Sequence, residues 1–339
     1  MSAQRQIWQD RAKGIGITLV VFGHAMRGLT GAHIAPESPA IQTIDYTLYL
    51  FHMPLFFLLA GLNVERSARK GAQSFLRDKL HTIVWPYFLW SIAQGLVLVR
   101  LSGAVNIPLT YGDLASIGWA PISQFWFLYA LMVCHLAYLL LGGRIALVVP
   151  LAAIGFAFSP LAPFLPAKIL FNFAFYALGL LAASVLADWL ERNSSPAKLA
   201  IAGIAFAALV SIGLQTGIAF DSPLSLPAAL AGIALTLIVA NMLGGRVGRL
   251  AEVVGRMSMT IYILHLFAAG GARVIMQKLG VPGNVVFYAA ATTFVGIAAP
   301  MAAHVIFERL GLLAWLGLAA PKRAPAVQPA GGVALSVRP

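Results

Sequence analysis

Long apolar segments separated by short polar stretches recur along this 339-residue chain. A helix needs about 20 apolar residues to cross a bilayer, where every backbone polar group must find its partner inside the protein. The composition suits such a protein, since 60% of the residues are hydrophobic and 10% are charged. We therefore predict an all-α fold, a polytopic membrane protein with a bundle of about ten transmembrane helices. The expected spans are 14–31, 44–62, 83–101, 119–141, 145–163, 168–188, 199–218, 225–243, 257–276 and 285–307.

The distribution of basic residues predicts how the bundle is oriented. With ten helices, 18 of the 23 Lys and Arg residues fall on the side of the two termini. Cytoplasmic loops are enriched in Lys and Arg, so we expect both termini in the cytoplasm. The net charge of +12 is explained by these loops, and we do not predict nucleic-acid binding. The other side carries Arg27, Arg100, Lys168, Arg273 and Lys278.

The chain is expected to contain one transmembrane domain, residues 1–319. Residues 320–339 have no apolar periodicity and are rich in Pro, Gly and Ala, so we expect a disordered cytoplasmic tail. The single cysteine, Cys134, excludes an internal disulfide. The seven histidines form no His-Glu-x-x-His pattern, so no metal site is predicted.

One histidine lies inside the first predicted helix. His24 follows Lys13 by eleven residues, with no charged residue between them. On an α-helix this spacing gives three turns plus roughly 20° and a rise of about 16 Å, so both side chains share one face. Lys13 is then expected near a membrane surface and His24 near half the bilayer depth. An ionisable residue at that depth is a functional-site hypothesis, with packing against a neighbouring helix as the alternative.

Two further clusters place histidines in apolar segments. His52 precedes Pro54, and a proline inside a helix frees a backbone carbonyl that needs a polar partner. Ser258, Tyr262 and His265 have the spacing of one helical face and form a polar stripe. For both clusters, a role in helix packing alone is the alternative to a role in catalysis.

Five motifs occur in one order along the chain and resemble those of the acyltransferase-3 family of integral-membrane O-acyltransferases, especially its fucose 4-O-acetylase-like branch. They are Asp10-Arg-Ala-Lys13-Gly14-Ile-Gly with His24, Phe51-His52-Met53-Pro54-Leu55-Phe56-Phe57 with Gly61, Trp85-Pro86-Tyr87, Phe125-Trp126-Phe127-Leu128, and Ile261-Tyr262-Ile263-Leu264-His265.

The resemblance implies a ten-helix bundle that moves an acetyl or other short acyl group from cytoplasmic acyl-CoA to a hydroxyl. The implied acceptor is a sugar, a polysaccharide or a lipid-linked glycan at the inner membrane of a bacterium. Acetyl-CoA would be a co-substrate, with no bound cofactor. The implied partners are therefore the acyl-CoA donor, the glycan acceptor and the lipid bilayer.

The basic motifs depart from the family pattern. The basic-x10-His motif usually begins with Arg and here begins with Lys13, which keeps the charge but loses the bidentate fork. An Arg-x-x-Arg pair would fall on Lys79 and Thr82, and Arg77 lies close enough in sequence to substitute. We expect Lys13, Arg77 and Lys79 to hold the CoA phosphates. Contact with lipid head groups is the alternative for Arg77 and Lys79.

Acyl transfer to a hydroxyl needs a base, and histidine is the side chain best matched to neutral pH. His24 is our candidate base, with His52 and His265 as further catalytic candidates. No carboxylate is placed to orient His24, since Asp10 is too far along the helix and Asp45 lies near the end of the next helix. Asp10, Ser258, Tyr262 and Trp126 are expected to line the site.

The alternative function is a proton-coupled secondary transporter or flippase. Buried histidines and a helix interrupted by proline also suit such a carrier. Carriers commonly consist of two similar halves, however, and the second half contains no counterpart of segment 44–62. An acyltransferase consumes acyl-CoA and a carrier does not, which distinguishes the two hypotheses.

Overall fold

The computed structural model describes residues 3–103 and 108–319, and these residues form helices without any β-strand. The all-α prediction is therefore confirmed, while the predicted tail at 320–339 lies outside the described residues. The helices are α1 (Ala3–Gly31), α2 (Pro39–Ala68), α3 (Ala72–Lys79), α4 (Trp85–Arg100), α5 (Tyr111–Ala115), α6 (Trp126–Leu140), α7 (Ile145–Phe158), α8 (Phe164–Ala182), α9 (Leu186–Asn193), α10 (Pro196–Thr216), α11 (Leu226–Met242), α12 (Gly245–Arg256), α13 (Ser258–Lys278) and α14 (Val285–Arg309).

Eight helical segments in the described part of the chain are long and apolar enough to cross a membrane. They comprise α2, α3 continuing into α4, α6 with its preceding turn, α8, α10, α11, α13 and α14. Helix α7 is a shorter apolar helix, and α1 has 29 residues but also carries His24 and Arg27. Each of the ten apolar segments predicted from the sequence overlaps one of these ten helices, so the polytopic membrane fold is confirmed.

Several boundaries differ from the prediction. Helix α1 begins at Ala3 rather than at residue 14, and the predicted span 168–188 ends at Ala182 and is followed by the separate helix α9. Between α11 and α13, where the predicted spans leave a loop, the chain forms α12. Apolar length identifies the part of a helix that fits in a bilayer, whereas these segments are polar or amphipathic and lie beyond that part.

Helix α12 packs along the first turns of α1. The contact is between backbones, because a Cβ at Gly255 would overlap the Asp10 carbonyl oxygen and a Cβ at Gly14 would overlap that of Ala251. Helix α1 also contacts α2, α11, α13 and α14. It is therefore enclosed by the bundle, and its His24 is held against other helices.

Helices α2 and α8 form another close contact. A Cβ at Gly61 would overlap the Tyr176 carbonyl oxygen, and a Cβ at Gly179 would overlap that of Leu58. Small residues at helix interfaces let backbones approach closely in membranes, where lipid supplies little hydrophobic driving force between helices. This crossing fixes α2, which carries His52, against the helix that carries Asn172.

The two ends of the bundle are named here by residues of α1. The Lys13 end contains the start of α1, the end of α2 near Ala68 and the start of α3. The Arg27 end contains the end of α1, the start of α2 and the start of α8. On the predicted orientation, the Lys13 end faces the cytoplasm.

Reporter fusions test this orientation. Because 18 of 23 basic residues are expected on one side, reporters placed in 64–78 or after residue 320 should read as cytoplasmic, and a reporter in 30–42 as external. Alkaline phosphatase, active only outside the cytoplasm, and green fluorescent protein, fluorescent only inside, provide complementary signals. An active phosphatase at the C-terminus would contradict the ten-helix topology.

Candidate active site

Three histidines from three helices meet inside the bundle. The ring centroids of His24 on α1 and His265 on α13 lie 5.1 Å apart. The ring centroid of Tyr49 lies 6.1 Å from that of His24 and 4.6 Å from that of His52. All three catalytic candidates from the sequence thus lie in one cluster, in which Tyr49 contacts His24 and His52, and His265 contacts His24, although they are far apart along the chain.

A backbone carbonyl fixes the orientation of each ring. The Nδ1 atoms lie 2.9 Å from Val20 O for His24, 2.5 Å from Leu48 O for His52 and 2.7 Å from Tyr262 O for His265. A carbonyl only accepts hydrogen bonds, so Nδ1 carries the hydrogen and donates it. In the neutral ring, Nε2 then holds the lone pair that a base needs. His24 is therefore oriented by Val20, and neither Asp10 nor Asp45 is required for this purpose.

The three rings differ in accessibility. His24 is half-buried and lines a cavity, whereas His52 is 1% exposed and His265 is fully buried. Within the described ranges, the Nε2 atoms of His52 and His265 have no hydrogen-bond partner. His52 also borders the cavity, but His265 does not. Of the three candidates, His24 has the ring best placed to contact a substrate.

The cavity has a volume of about 740 Å³ and lies toward the Arg27 end of the bundle. Most of its wall surface is apolar, as in most small-molecule sites, and polar side chains are interspersed along it. Trp126, which the sequence analysis expected to line the site, does so. In residues 3–103 and 108–319, no group of three His, Cys, Asp or Glu side chains is arranged to hold a metal ion.

An ion pair between α1 and α2 supports the histidine cluster. Arg27 donates two hydrogen bonds to Asp45, from Nε to Oδ1 at 2.6 Å and from Nη2 to Oδ2 at 2.8 Å. The same guanidinium lies 3.2 Å from the centroid of the Tyr49 ring. This bidentate geometry holds Tyr49 between His24 and His52.

Amide side chains add polar groups to the wall. Gln94 and Gln124 are buried and bond each other through both amides, at 2.8 and 3.0 Å. Asn172 donates to Lys168 O at 2.8 Å, while its Oδ1 has no partner among the described residues. Tyr262 donates to Gln124 O at 2.6 Å and does not border the cavity. Its position supports the wall from behind instead of lining it.

The remaining predicted site residues lie away from this cavity. Lys13 Nζ is 3.0 Å from Asp10 Oδ1 at the Lys13 end, and Ser258 lies in the first turn of α13. Arg77 is exposed, and Lys79 Nζ lies 5.2 Å from the centroid of the Phe75 ring. None of these residues lines the cavity. The histidines and the predicted phosphate-binding residues therefore occupy different ends of the bundle.

The sequence analysis missed several residues of the site. Arg27, Lys168 and Arg273 line the cavity, whereas their sequence positions predict only that they lie on the less basic side of the bundle. The available signal was the position of Arg27 and Arg273 inside predicted spans, since charged residues there often mark a substrate pathway. Gln94, Gln124 and Asn172 carried no comparable signal.

Comparison with known proteins gives two positive findings. Residues 6–304 match the family described as "Acyltransferase domain". The chain is 28% identical to nodulation protein NolL of Mesorhizobium japonicum over 187 residues, which are 53% of this chain and 48% of NolL. The aligned part of the chain thus spans about half the length of that relative. No solved structure matches the chain significantly.

Proposed function

Because this chain belongs to the acyltransferase-3 family of integral-membrane acyltransferases, we propose that it is an O-acyltransferase using acyl-CoA. It transfers an acetyl or other short acyl group to a hydroxyl of a sugar, a polysaccharide or a lipid-linked glycan at a bacterial inner membrane. The observation that carries this proposal is the His24 ring, held by the Val20 carbonyl with Nε2 free to act as a base beside a cavity of about 740 Å³.

The chemistry follows from the state of the His24 ring. Its Nε2 accepts the proton of the acceptor hydroxyl as the oxygen attacks the thioester carbonyl carbon. The carbon–sulfur bond then breaks, and the imidazolium returns the proton to the CoA sulfur. The Val20 carbonyl, which accepts from Nδ1 at 2.9 Å, keeps the ring in place through both proton transfers.

Two side chains of the cavity wall carry buried acceptor atoms without partners in the described part of the chain, which supports a hydroxyl-rich acceptor. The Nε2 atom of His52 and the Oδ1 atom of Asn172 are buried and without partners in the structure as described. Both are hydrogen-bond acceptors, and leaving such groups unpaired costs free energy. Hydroxyl groups of a saccharide would donate to them and compensate that cost.

We propose that donor and acceptor enter from opposite ends. Lys13, Arg77 and Lys79 would hold the CoA phosphates at the Lys13 end, and the saccharide would occupy the cavity at the Arg27 end. Lys13 and His24 are about 16 Å apart along α1, a distance suited to the long pantetheine arm. Asp10 neutralises the Lys13 ammonium only in part, because the Lys13 side chain is 35% exposed to solvent.

We expect Lys13→Ala to weaken acyl-CoA binding by about tenfold, the scale of one charge-assisted hydrogen bond. Lys13→Arg should keep or improve the affinity, because the guanidinium restores a bidentate fork for phosphate. Equilibrium binding of radiolabelled acetyl-CoA to the purified protein measures both effects.

Lys198→Ala is the matched control, since Lys198 is an exposed lysine at the same end of the bundle. Its affinity for acetyl-CoA should equal that of the wild type. Unchanged affinity in Lys13→Ala would instead assign Lys13 to the membrane interface.

The function itself is tested with radiolabelled acetyl-CoA and a panel of saccharides. We expect the purified protein in detergent to release CoA and to form a labelled, alkali-sensitive ester on at least one acceptor. A carrier would bind or move a solute without consuming acetyl-CoA. Absence of CoA release across the panel would therefore contradict the transferase and favour the carrier.

A further inference from the structure

The cavity contains a buried cation that no protein group neutralises. Arg273 lies on α13, lines the cavity and is 9% exposed. Among residues 3–103 and 108–319, no hydrogen bond, ion pair or ring contact involves its guanidinium. Burial of an unpaired charge is expensive, and charges inside membrane bundles usually face a substrate pathway or a partner. The missing partner is therefore expected to come from a ligand.

The other two basic residues at the cavity have partners within the protein. Arg27 is neutralised by Asp45 through two hydrogen bonds. Lys168 Nζ lies 3.9 Å from the ring centroid of Phe164 and 4.8 Å from that of Trp126, both cation–π contacts. Asp221 is the acidic side chain that borders the cavity in the described part of the chain. The wall thus has an excess of positive charge, centred on Arg273.

We propose that Arg273 binds an anionic group of the acceptor, a phosphate or a carboxylate. The acceptor would then be an acidic or phosphorylated saccharide, an assignment that rests on the proposed transferase function. A guanidinium suits this task because it can donate two parallel hydrogen bonds to either anion.

The positions of His24 and Arg273 suit a hydroxyl and an anionic group carried by one ligand. The His265 ring is 5.1 Å from that of His24, and Arg273 follows His265 by eight residues on the same helix. Eight residues of α-helix rise by roughly 12 Å. A saccharide lying between α1 and α13 can therefore present a hydroxyl to His24 while its anionic group contacts Arg273.

Binding of three small probes to the full-length protein in detergent tests the proposal. The probes are radiolabelled glucose, glucose 1-phosphate and glucuronate, which differ in the absence, type and position of a negative charge. We expect the wild type to bind at least one of the two anionic probes roughly tenfold to a hundredfold more tightly than glucose, and their ranking separates phosphate from carboxylate. Equal binding of all three probes would overturn the proposal without any variant.

The variants locate the effect. Arg273→Gln should remove the preference, so that the anionic probes bind no more tightly than glucose, and Arg273→Lys should retain part of it. Lys278→Gln is the matched control, since Lys278 is a basic residue on the same helix that is exposed and does not line the cavity. A preference that persists in Arg273→Gln would overturn the assignment.

Two further measurements separate this proposal from others. Displacement of glucose 1-phosphate by coenzyme A, with loss of coenzyme A binding in Arg273→Gln, would assign the guanidinium to the donor and overturn the acceptor proposal. Arg273-dependent binding of an anionic probe without any acetyl transfer would overturn the proposed transferase and still support the anion site.

Discussion

Substitution of His24 by alanine is expected to slow acyl transfer roughly 100-fold or more, the usual scale for the loss of a general base. Acyl-CoA binding should survive, because the base acts on the acceptor hydroxyl. The protein should also remain folded, since the lost contacts are one hydrogen bond to the Val20 carbonyl and ring contacts with Tyr49 and His265. Single-turnover transfer from radiolabelled acetyl-CoA, together with equilibrium binding of the donor, measures both quantities.

Three other histidine variants give this prediction its controls. His135→Ala removes a buried ring with the same type of bond, from Nδ1 to Leu131 O at 2.7 Å, but His135 does not border the cavity. It should therefore transfer at close to the wild-type rate. His52→Ala and His265→Ala test whether a buried member of the cluster is the base instead.

The outcomes discriminate among the candidates. Near-normal turnover in His24→Ala combined with an inactive His265→Ala would transfer the role of base to α13. Transferase activity in all three cluster variants would show that no histidine of the cluster is the base. In either case the role assigned to His24 would be wrong.

The second large effect is expected where α2 crosses α8. Gly179→Ala places a methyl group against the Leu58 carbonyl oxygen, and backbone atoms can move away only by separating the helices. Overpacking of this kind costs about 1–3 kcal/mol, and more where the obstacle is backbone. We expect a large fall in thermal stability. Size-exclusion chromatography of the heated, detergent-solubilised protein measures it.

Gly203→Ala provides the matched control for this substitution. Gly203 also lies inside a long helix, α10, but a Cβ there meets no atom within 4 Å. That variant should be as stable as the wild type or slightly more so, since alanine favours helix by about 1 kcal/mol relative to glycine. Gly61→Ala should behave like Gly179→Ala, and the two effects should not add because both act on one crossing. Wild-type stability in Gly179→Ala would contradict the close approach.

Much of the fold could be predicted because its main constraint is local. A helix that crosses a bilayer must be apolar over about 20 residues, so each span is visible in the sequence without knowledge of its neighbours. The limits of the spans were less predictable. The polar start of α1 and the amphipathic α12 are stabilised by their contact at Gly14 and Gly255. A search for long apolar segments cannot detect such a contact.

The candidate site was likewise predictable from the sequence only in part. His24, His52 and His265 were selected from the sequence, because ionisable groups in apolar segments stand out. Their meeting with Tyr49 in one cluster depends on how three helices pack, whereas each ring is oriented locally, by a carbonyl of its own helix. The sequence offers no carboxylate in position to orient His24, and the structure supplies the Val20 carbonyl for that role.

The sequence by itself determined that this protein is an all-α membrane bundle of the acyltransferase-3 family with buried histidines, since hydropathy and short motifs are properties of contiguous residues. Only the tertiary structure decided that the three histidines form one cluster beside a cavity at the Arg27 end, that Lys13 and Lys79 lie away from that cavity, and that Arg273 faces it without a partner among the described residues. The physical reason is that a charge is neutralised and a cavity is enclosed by groups from several helices, whose relative positions are set by packing.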